Sequence, residues 1–533
     1  MSLNESQTKA TGEPRGKGDA VPRDAAAVIL VREIEGERVP QIYWARRSAT
    51  LAFLGGFHAF PGGQRDAEDA ETPVENAADA EEASMIACAA RELFEELGVL
   101  VARGADALTK GQLASVLDDL TSERMTFAQL LAHYGLHLDA RDFTFAGRWV
   151  TPPFSPRRFD TWFFLARCPR KQEPRVLTSE FEDGEWTPAT EAVGLWERCD
   201  ALVAPPVLHA LRVLSDGLTD KTVERFLSVP QASREPVRRI EFMPGFICFP
   251  LRTPTKPPAT HTNAYIVGHG AQLVLLDPGS PYEDEQAALA ACVDELVSEG
   301  RAVREIILTH HHPDHVAGVL ALRRHLGGSV PVTAHRLTAE SLRGQVQIDR
   351  FIEDGDLIEL AGDPALTLRA MHTPGHTRGH LSFYEARTGA LITGDNIVGL
   401  GSVLIDPPEG NVRDYLASLE RYRALLPRVK VLFGGHGPAV AAPRAKIEEY
   451  IAHRLEREQN ILRAVRAGAT TTEEIVARVY TDVNPKAHAL AARAVLAHLE
   501  KLVADDLVAR TADGNFVARS ASDANDAGAL TGS

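Results

Sequence analysis

The segment THHHPDH at residues 309–315 places several ligand-type side chains on one short turn. It contains the spacing H-x-H-x-D-H, formed by His310, His312, Asp314 and His315. The apolar run VREIIL precedes it and the helical pattern VAGVLALRRHL follows it, so the turn joins a strand to a helix. Imidazole nitrogens and carboxylate oxygens are ligands that Zn²⁺ takes in proteins. The spacing therefore predicts a metal site.

Three later loops carry the ligands that this turn lacks. They are HTPGHTRGH, with His372, His376 and His380; TGD, with Asp395; and FGGHG, with His436. Each follows an apolar, strand-like run and lies beside glycine or proline, as expected of a loop at a strand end. A lone histidine is more often a hydrogen-bonded core residue than a ligand. Because four motifs occur in order, we favour one shared metal site over a histidine-rich loop.

A second group of ligand-type side chains lies in RELFEELGV, residues 91–99. On a helix, Glu92, Glu95 and Glu96 occupy positions i, i+3 and i+4 and share one face. The leucines then point into a core, and the glycine suits the helix end. Three carboxylates on one face repel each other unless a divalent cation bridges them, and Mg²⁺ and Mn²⁺ prefer oxygen ligands. The alternative is a solvated acidic face with an Arg91–Glu95 pair.

The elements that must position these groups divide the chain into parts. The first part mixes β-rich runs with one strong helix, and the middle part alternates strands with helices, which predicts layered α/β domains. Three helical segments and the apolar–turn–apolar unit DLVARTADGNFVAR then predict a winged helix. The predicted divisions are a disordered tail at 1–22, a first domain at 23–200, a helical connector at 201–237, a second α/β domain at 238–450, a winged-helix-like domain at 451–519 and a disordered tail at 520–533.

Composition limits the class of protein. At 533 residues the chain is long enough for several cores. A formal charge of −16 argues against non-specific attraction to nucleic acid or acidic membranes. Five scattered cysteines, with no C-x-x-C pair, fit a reducing compartment. No apolar stretch has the length of a signal peptide or a membrane span, so we expect a cytoplasmic protein without membrane association.

Taken together, the histidine motifs resemble the metallo-β-lactamase superfamily over roughly residues 240–440, and LVLLDPG, with Asp277 and Gly279, is similar to its early strand–turn element. The resemblance implies an αββα sandwich and two zinc ions. It also implies a metal-bridging hydroxide as nucleophile, with Asp314 as the catalytic residue that orients it. One zinc would be held by His310, His312 and His376, and the other by Asp314, His315 and His436, with Asp395 bridging, His311 as a spacer and His380 as a substrate contact.

A narrower resemblance concerns the segments TGDNIVGLGSVLIDPPEG and GGHGPAV, which are similar to the LACTB2-like branch of that superfamily. That branch ends in a winged-helix-like domain and includes single-strand endoribonucleases and thioesterase-like hydrolases. Residues 454–519 hold ten Lys or Arg against nine Asp or Glu. This near-neutral balance favours packing or homodimerisation for the terminal module, with single-stranded RNA as the alternative partner.

The carboxylate helix and FPGG, residues 60–63, resemble the Nudix box, whose fold is an α/β/α sandwich. The resemblance implies that Glu92, Glu95 and Glu96 bind Mg²⁺ or Mn²⁺, with Glu92 as the candidate catalytic base. The 27 residues between Gly63 and Arg91 exceed the ordinary spacing of the box. This insertion leaves the first acidic residue of the box open among three candidates, Glu68, Asp69 and Glu82.

The residues before the box, RSATLAFLGGFHAFPGG, resemble the motif of Nudix coenzyme A diphosphatases. They depart from it at Ala52, where that motif has arginine, which puts coenzyme A recognition in doubt. WVTPPFSPRRFDTWFFLA is similar to the subgroup with a long insertion in the box. The implied substrate-binding residues are Arg47, Ser48, Gly62, Gly63 and Arg158, with Glu180 or Glu182 as a further carboxylate.

These patterns predict a bifunctional metal-dependent hydrolase. The Nudix domain would cleave a diphosphate linkage in a coenzyme A or acyl-CoA-like nucleotide, and the zinc domain would hydrolyse a thioester or related bond. The first alternative is an RNA-processing enzyme whose zinc domain cuts single strands. The second is a non-enzymatic sensor of a nucleotide metabolite, which would leave the zinc ligands without a use.

Overall fold

The computed structural model describes residues 21–51, 54–155, 157–481 and 488–519. Most of the predicted tail at 1–22, the whole predicted tail at 520–533 and Ala52 lie outside the described residues. The described part is a multidomain α/β protein, as the alternation of strands and helices predicts.

The first domain is built on a mixed seven-stranded sheet, with a separate two-stranded pair beside it. Its strands are β1 (Arg23–Arg32), β2 (Gln41–Arg47), β3 (His58–Ala59), β4 (Gly62–Gln64), β5 (Val74–Glu75), β6 (Leu138–Asp139), β7 (Thr144–Val150), β8 (Phe159–Arg167) and β9 (Phe181–Pro188). The order in the sheet is β3-β2-β1-β8-β7, with β4 paired to β1 and β9 to β2, while β5 pairs with β6. The central β1–β8 pair is parallel.

Helices cover both faces of this sheet. They are α1 (Ala80–Leu97), α2 (Lys110–Thr121), α3 (Phe127–Tyr134), α4 (Ala189–Glu197), α5 (Pro205–Ser215) and α6 (Thr222–Phe226). Helix α1 begins after Asp79, whose side chain accepts the Glu82 backbone N–H, and it ends at Gly98 in the left-handed region. Its apolar face packs with α2 and α3 in one core, and Leu93 and Leu97 are fully buried there, as predicted.

The second domain contains two further sheets of seven and five strands. The first has the sequential order β10 (Ile240–Met243), β11 (Phe246–Arg252), β12 (His261–Val267), β13 (Gln272–Leu276), β14 (Ala302–Ile307), β15 (Val332–Ala334) and β16 (Arg350–Phe351). The second has the sequential order β17 (Leu357–Leu360), β18 (Leu366–His372), β19 (Leu381–Glu385), β20 (Ala390–Gly394) and β21 (Val431–Gly434).

These two sheets pack face to face and are covered outside by helices. The inner core joins the sheets, for example through the Phe246 and Phe433 rings, which stack with centroids 5.6 Å apart. The helices are α7 (Glu283–Ser298), α8 (Pro313–Val316), α9 (Val319–His325), α10 (Arg336–Ser341), α11 (Val412–Ala424) and α12 (Pro443–Arg466). Helices α7 and α9 share a core with the first sheet, and α11 and α12 share one with the second. The result is the expected αββα sandwich.

The end of α12 continues into a small terminal module. It contains α13 (Thr472–Val479), α14 (His488–Ala504), β22 (Val508–Arg510) and β23 (Phe516–Ala518). The two strands form an antiparallel hairpin, and the module has its own apolar core. This is the winged-helix arrangement that the sequence predicts. Among the described residues, no helix combines the length and apolarity that crossing a bilayer requires.

Candidate functional site

The predicted metal ligands of the second domain converge where strands of both sheets end. His310 follows β14, His376 follows β18, Asp395 follows β20 and His436 follows β21. The ligand atoms form two groups, each with its atoms within 4.8 Å of one another: His310, His312, His376 and Asp395 in the first, and Asp314, His315 and His436 in the second. The division is the one that the family resemblance implies.

The first group brings three ring nitrogens together. His312 Nδ1 lies 3.0 Å from His310 Nε2 and 2.9 Å from His376 Nε2. Burial, together with the neighbouring imidazoles, lowers the pKa of His312 to about 2, and burial lowers that of His376 to about 4. Both rings are therefore neutral near pH 7. Nitrogen lone pairs that face each other this closely fit ligation of a shared cation.

The second group meets the first at Asp395. His436 Nε2 lies 3.2 Å from Asp395 Oδ2 and 3.6 Å from Asp314 Oδ2, and His315 Nε2 lies 3.4 Å from Asp395 Oδ1. His315 Nε2 and Asp395 Oδ1 are buried and have no hydrogen-bond partner among the described residues. Buried polar atoms without partners are costly, and a divalent cation would satisfy both. The donor set therefore fits metal binding.

Hydrogen bonds to the far ring nitrogens fix the histidine tautomers. His376 Nδ1 lies 2.9 Å from the Leu404 carbonyl oxygen, and His436 Nδ1 lies 2.7 Å from that of His261. A carbonyl can only accept, so each Nδ1 carries the proton and donates it. The lone pair is then on Nε2, which faces the site, as in metal-binding histidines generally.

Asp277 is a supporting residue for which the sequence offered only the LVLLDPG element. Its Oδ2 lies 2.8 Å from His315 Nδ1 and accepts the Thr309 hydroxyl proton at 2.6 Å. Thr309 Oγ1 lies 2.9 Å from His310 Nδ1. One buried carboxylate therefore orients a histidine of each group. Asp277 directly follows β13, the strand next to β14, which leads into the histidine turn. This adjacency could have identified Asp277 as a contact of the histidines.

Close packing of the last ligand loop leaves no room for a side chain. A Cβ on Gly435 would lie 2.2 Å from Asp395 Oδ1. Asn263 Nδ2 donates to the carbonyls of Gly434 and Gly437 at 2.9 and 2.8 Å, which fixes the loop around His436. The glycines of FGGHG thus bring the backbone close to the metal site.

His380 lies beside the site in a different role from the expected substrate contact. Its ring is fully buried, its Nε2 accepts the Asp395 backbone N–H at 3.1 Å, and its Nδ1 lies 3.1 Å from Thr373 Oγ1. A ring with both nitrogens engaged and no exposed surface cannot reach a substrate, so we assign it to positioning Asp395. His311 lies outside both ligand groups, as a spacer.

In the first domain, two of the three α1 glutamates, Glu92 and Glu96, lie against Gly62 and Gly63. Glu96 is buried, and its Oε2 accepts the Gly62 N–H at 2.8 Å. A Cβ on Gly63 would lie 2.4 Å from the Glu92 carboxyl carbon. Burial raises the pKa of Glu92 to about 7 and also raises those of Glu95 and Glu96. The three pKa values are raised although Arg91 contacts Glu92 and Glu95, so the site has room for the further positive charge of a divalent cation.

Of the three candidates for the first acidic residue of the box, Asp69 is the one that Arg91 contacts. The Arg91 Nε and one Nη donate to the two Asp69 oxygens at 2.8 and 2.9 Å, and its other Nη donates to Glu92 and Glu95. Asp69 is almost fully buried. This contact favours Asp69 over Glu68 and Glu82. The sequence alone offered no means to choose among them, because the contact joins segments 22 residues apart.

The predicted substrate residues border a cleft of about 990 Å³. Arg47, Arg158 and both glycines line it, whereas the Ser48 hydroxyl is bonded to Thr50 Oγ1 at 2.9 Å and does not. Of the two carboxylate candidates, Glu180 lines the cleft and lies 3.6 Å from Arg47. Glu182 instead pairs with Arg46 at 2.9 Å.

Comparison with known proteins finds three family models along the chain. Residues 257–436 match the family model of the metallo-beta-lactamase superfamily, residues 471–516 that of the beta-lactamase associated winged helix domain, and residues 70–214 that of the NUDT19 Nudix domain. Fold and sites define a hydrolase whose fold indicates divalent metal binding.

Individual relatives support the same conclusion. The Caenorhabditis elegans beta-lactamase-like protein 2 homolog is 32% identical over 249 residues, which are 46% of this chain and 80% of the relative. The Drosophila melanogaster homolog is 32% identical over 266 residues, 48% and 87% of the two chains. An atrochrysone carboxyl ACP thioesterase of Aspergillus novofumigatus is 27% identical over 290 residues, 52% and 84%. The chain belongs to the metallo-β-lactamase superfamily, and it joins that domain to a Nudix domain and a winged-helix domain.

Proposed function

We propose that this protein is a hydrolase with two independent metal sites. The Nudix domain cleaves the diphosphate linkage of a coenzyme A or acyl-CoA-like nucleotide, and the metallo-β-lactamase domain hydrolyses a thioester or a related bond. The observation that carries the proposal is the pair of ligand groups around Asp395, with buried atoms that lack partners on both sides of the pair.

In the metallo-β-lactamase site, we assign two Zn²⁺ ions to the two ligand groups. These residues would hold the ions, and Zn²⁺ held there would supply Lewis-acid polarisation of the scissile carbonyl. Asp395 lies between the groups and holds them at a fixed separation, and His380 holds Asp395. The Asp314 carboxylate is partly exposed and lies beside His436, so we assign it to proton transfer. The thioesterase named among the relatives supports a thioester as the substrate bond.

In the Nudix site, we assign Mg²⁺ or Mn²⁺ to Glu92, Glu95 and Glu96. Divalent ions at such sites neutralise charge on substrate phosphates. Glu92, whose pKa lies at about 7, is suited to accept a proton near neutral pH. Arg47 and Arg158 line the adjoining cleft, where guanidinium groups can bind the diphosphate.

The RNA-processing alternative is less well supported by the terminal module. Of the basic residues on α14, Arg493 donates to the Pro407 carbonyl at 3.0 Å, and Lys501 pairs with Glu458 and Asp505, each at 2.8 Å. The contacts with Pro407 and Glu458 join α14 to other elements, and the Asp505 pair is local. They reduce the positive charge that the module offers to an RNA backbone.

The test assigns each activity to one site in the full-length protein. With Mg²⁺ present, we expect cleavage of coenzyme A at its diphosphate and release of free thiol from an acyl-CoA. Glu95→Gln should reduce diphosphate cleavage at least about 100-fold and leave thiol release unchanged, because the metal ligands of the two sites are separate. His312→Ala should do the reverse.

A matched control is Glu81→Gln, at the exposed first turn of the same helix, where only a surface pair with Arg148 is lost. It should leave both activities intact. Equal diphosphate cleavage by the wild type and Glu95→Gln would refute the Nudix assignment. Cleavage of single-stranded RNA that depends on His312, without thiol release, would replace the thioesterase assignment by the RNA alternative.

A further inference from the structure

The cleft beside the Nudix glutamates has walls from three parts of the chain. Gly62 and Gly63, which contact the α1 carboxylates, line it, although none of the three glutamates does. Its apolar part lies on the face of the first sheet opposite α1, where Trp149 and Phe163 belong to the core that continues into the second domain. The connector adds Val237, and the metallo-β-lactamase domain adds Phe242. A substrate in this cleft would therefore touch the Nudix domain, the connector and the second domain together.

The wall from the second domain is held in place. The Phe242 carbonyl accepts the Trp196 Nε1–H at 3.1 Å, and its ring contacts the Phe57 ring edge-on with centroids 5.4 Å apart. Ile240, on the same strand β10, is also buried and lines the cleft. Since these side chains are fixed by packing, the apolar surface is pre-formed and does not require ligand-induced folding.

The cleft combines this apolar surface with positive charge next to the glutamates. Arg47, Arg157 and Arg158 line it together with Gly62 and Gly63, which contact the carboxylates of α1. Guanidinium groups suit a diphosphate, and aromatic and aliphatic walls suit a long alkyl group. At about 990 Å³, the cleft is at the upper end of the size of ligand pockets.

From this combination we infer that the connector and the metallo-β-lactamase domain complete the Nudix site by forming an apolar subsite. The subsite takes the long alkyl or acyl chain of a nucleotide diphosphate substrate. Residues outside the Nudix domain, chiefly Val237 and Phe242, then determine the specificity for the length of that chain. The inference rests on the proposed diphosphate cleavage and specifies its substrate class.

The experiment measures diphosphate cleavage of coenzyme A and its S-alkyl thioethers by the full-length protein with Mg²⁺. Thioethers are used because the second domain cannot hydrolyse them as it would a thioester. We expect kcat/KM to rise roughly two- to fourfold for each added methylene until the chain fills the cleft. A flat dependence on chain length, with coenzyme A cleaved, overturns this inference alone. No cleavage of any member overturns the proposed Nudix function.

A substitution in the connector wall locates the effect. Val237→Phe should fill the subsite and lower the ratio of kcat/KM for dodecyl over methyl thioether about tenfold, with the methyl substrate little affected. The control is Val213→Phe, at a buried position of α5 that does not line the cleft, and it should keep the wild-type ratio. An unchanged ratio in folded Val237→Phe contradicts the inference. If that variant does not fold, the wild-type chain-length series still decides.

Discussion

His311 and His312 are adjacent in the sequence but differ in what they can bind. His312 Nδ1 lies within 3.0 Å of two other ring nitrogens, whereas His311 belongs to neither ligand group. His312→Ala should therefore lower the bound metal by about one equivalent per chain after dialysis, since one ligand group loses a central donor. Elemental analysis of the purified protein measures this.

His311→Ala is the matched control and should retain the metal content of the wild type. Loss of metal in both variants would show that the turn as a whole is disrupted, and loss in His311→Ala alone would contradict the assignment of ligands. Both variants keep the neighbouring ligands Asp314 and His315, so the comparison isolates one imidazole.

His58 should make stability depend on pH. Burial lowers its pKa to about 4, and its ring packs on Trp44 with centroids 4.4 Å apart. The unfolded chain, with a pKa of about 6.5, takes up this proton first. The stability contributed by the neutral ring is therefore complete above pH 6.5 and is lost as the pH falls towards 4, by about 2–3 kcal/mol.

Urea unfolding at pH 7 and pH 4.5 measures this loss, which should be smaller in His58→Phe because that side chain has no proton to gain. His325→Phe, at the surface of α9, is the control and should lose as much stability as the wild type. An equal loss in His58→Phe and the wild type would contradict the expected role of His58.

Residue type and spacing restricted the candidate ligands in the sequence, and the family resemblance divided them into two groups. The seven predicted ligand positions converge in the structure, and the three glutamates share a face of α1. Residue spacing does not predict contacts between segments that are far apart in the sequence. Asp69 is one of several acidic residues in the sequence and is distinguished only by its contact with Arg91, and the role of His380 follows from its hydrogen bond with the Asp395 backbone N–H.

At the scale of elements, the loop between β20 and α11 connects the terminal module to the metal site. The Leu404 carbonyl of this loop accepts the His376 Nδ1–H, and Arg493 of α14 donates to the Pro407 carbonyl of the same loop. Arg454 of α12 donates to the Val403 carbonyl. The winged helix thus braces the loop that orients a metal ligand.

Arg493→Ala should therefore weaken metal binding without removing a ligand. We expect a two- to tenfold loss of zinc affinity, less than the roughly 10–100-fold typical of a direct hydrogen-bond partner, because Arg454 still holds the loop. Competition with a chromogenic chelator measures the affinity. Arg444→Ala, at an exposed position of α12 paired only with Glu448, should bind zinc as the wild type does. If the wild type, Arg493→Ala and Arg444→Ala bind the metal with equal affinity, the terminal module does not influence the metal site.

The sequence predicted the helices and strands better than it predicted how they pack against one another. The sequence predicted the carboxylate helix α1 and three helical segments at the end of the chain, and the structure has helices there, each with a buried face. Periodicity reports that a face is buried but not what covers it. The packing of α14 against the loop after β20 is such a case, because its contacts are polar and come from segments far apart in the sequence.

At the scale of the whole molecule, the Nudix and metallo-β-lactamase domains share one apolar core. Residues of β1, α4, α5 and both sheets of the second domain belong to a single buried cluster. The terminal module has a separate cluster. We predicted the domain boundaries from changes in the sequence pattern. That pattern does not indicate that hydrophobic residues before and after residue 238 pack in the same core. Domains that share a core are expected to lose structure together.

Substitution of Trp196 should destabilise both of these domains. This side chain is almost fully buried and its Nε1–H reaches the Phe242 carbonyl across the boundary, so Trp196→Ala should cost about 3–5 kcal/mol. Hydrogen exchange in increasing urea should show β8 and β19 losing protection at one midpoint, which the substitution lowers for both. Val495→Ala, in the separate core of the terminal module, should leave that midpoint unchanged. Different midpoints for β8 and β19, or a shift of only one, would mean that the shared core does not couple the two hydrolytic domains.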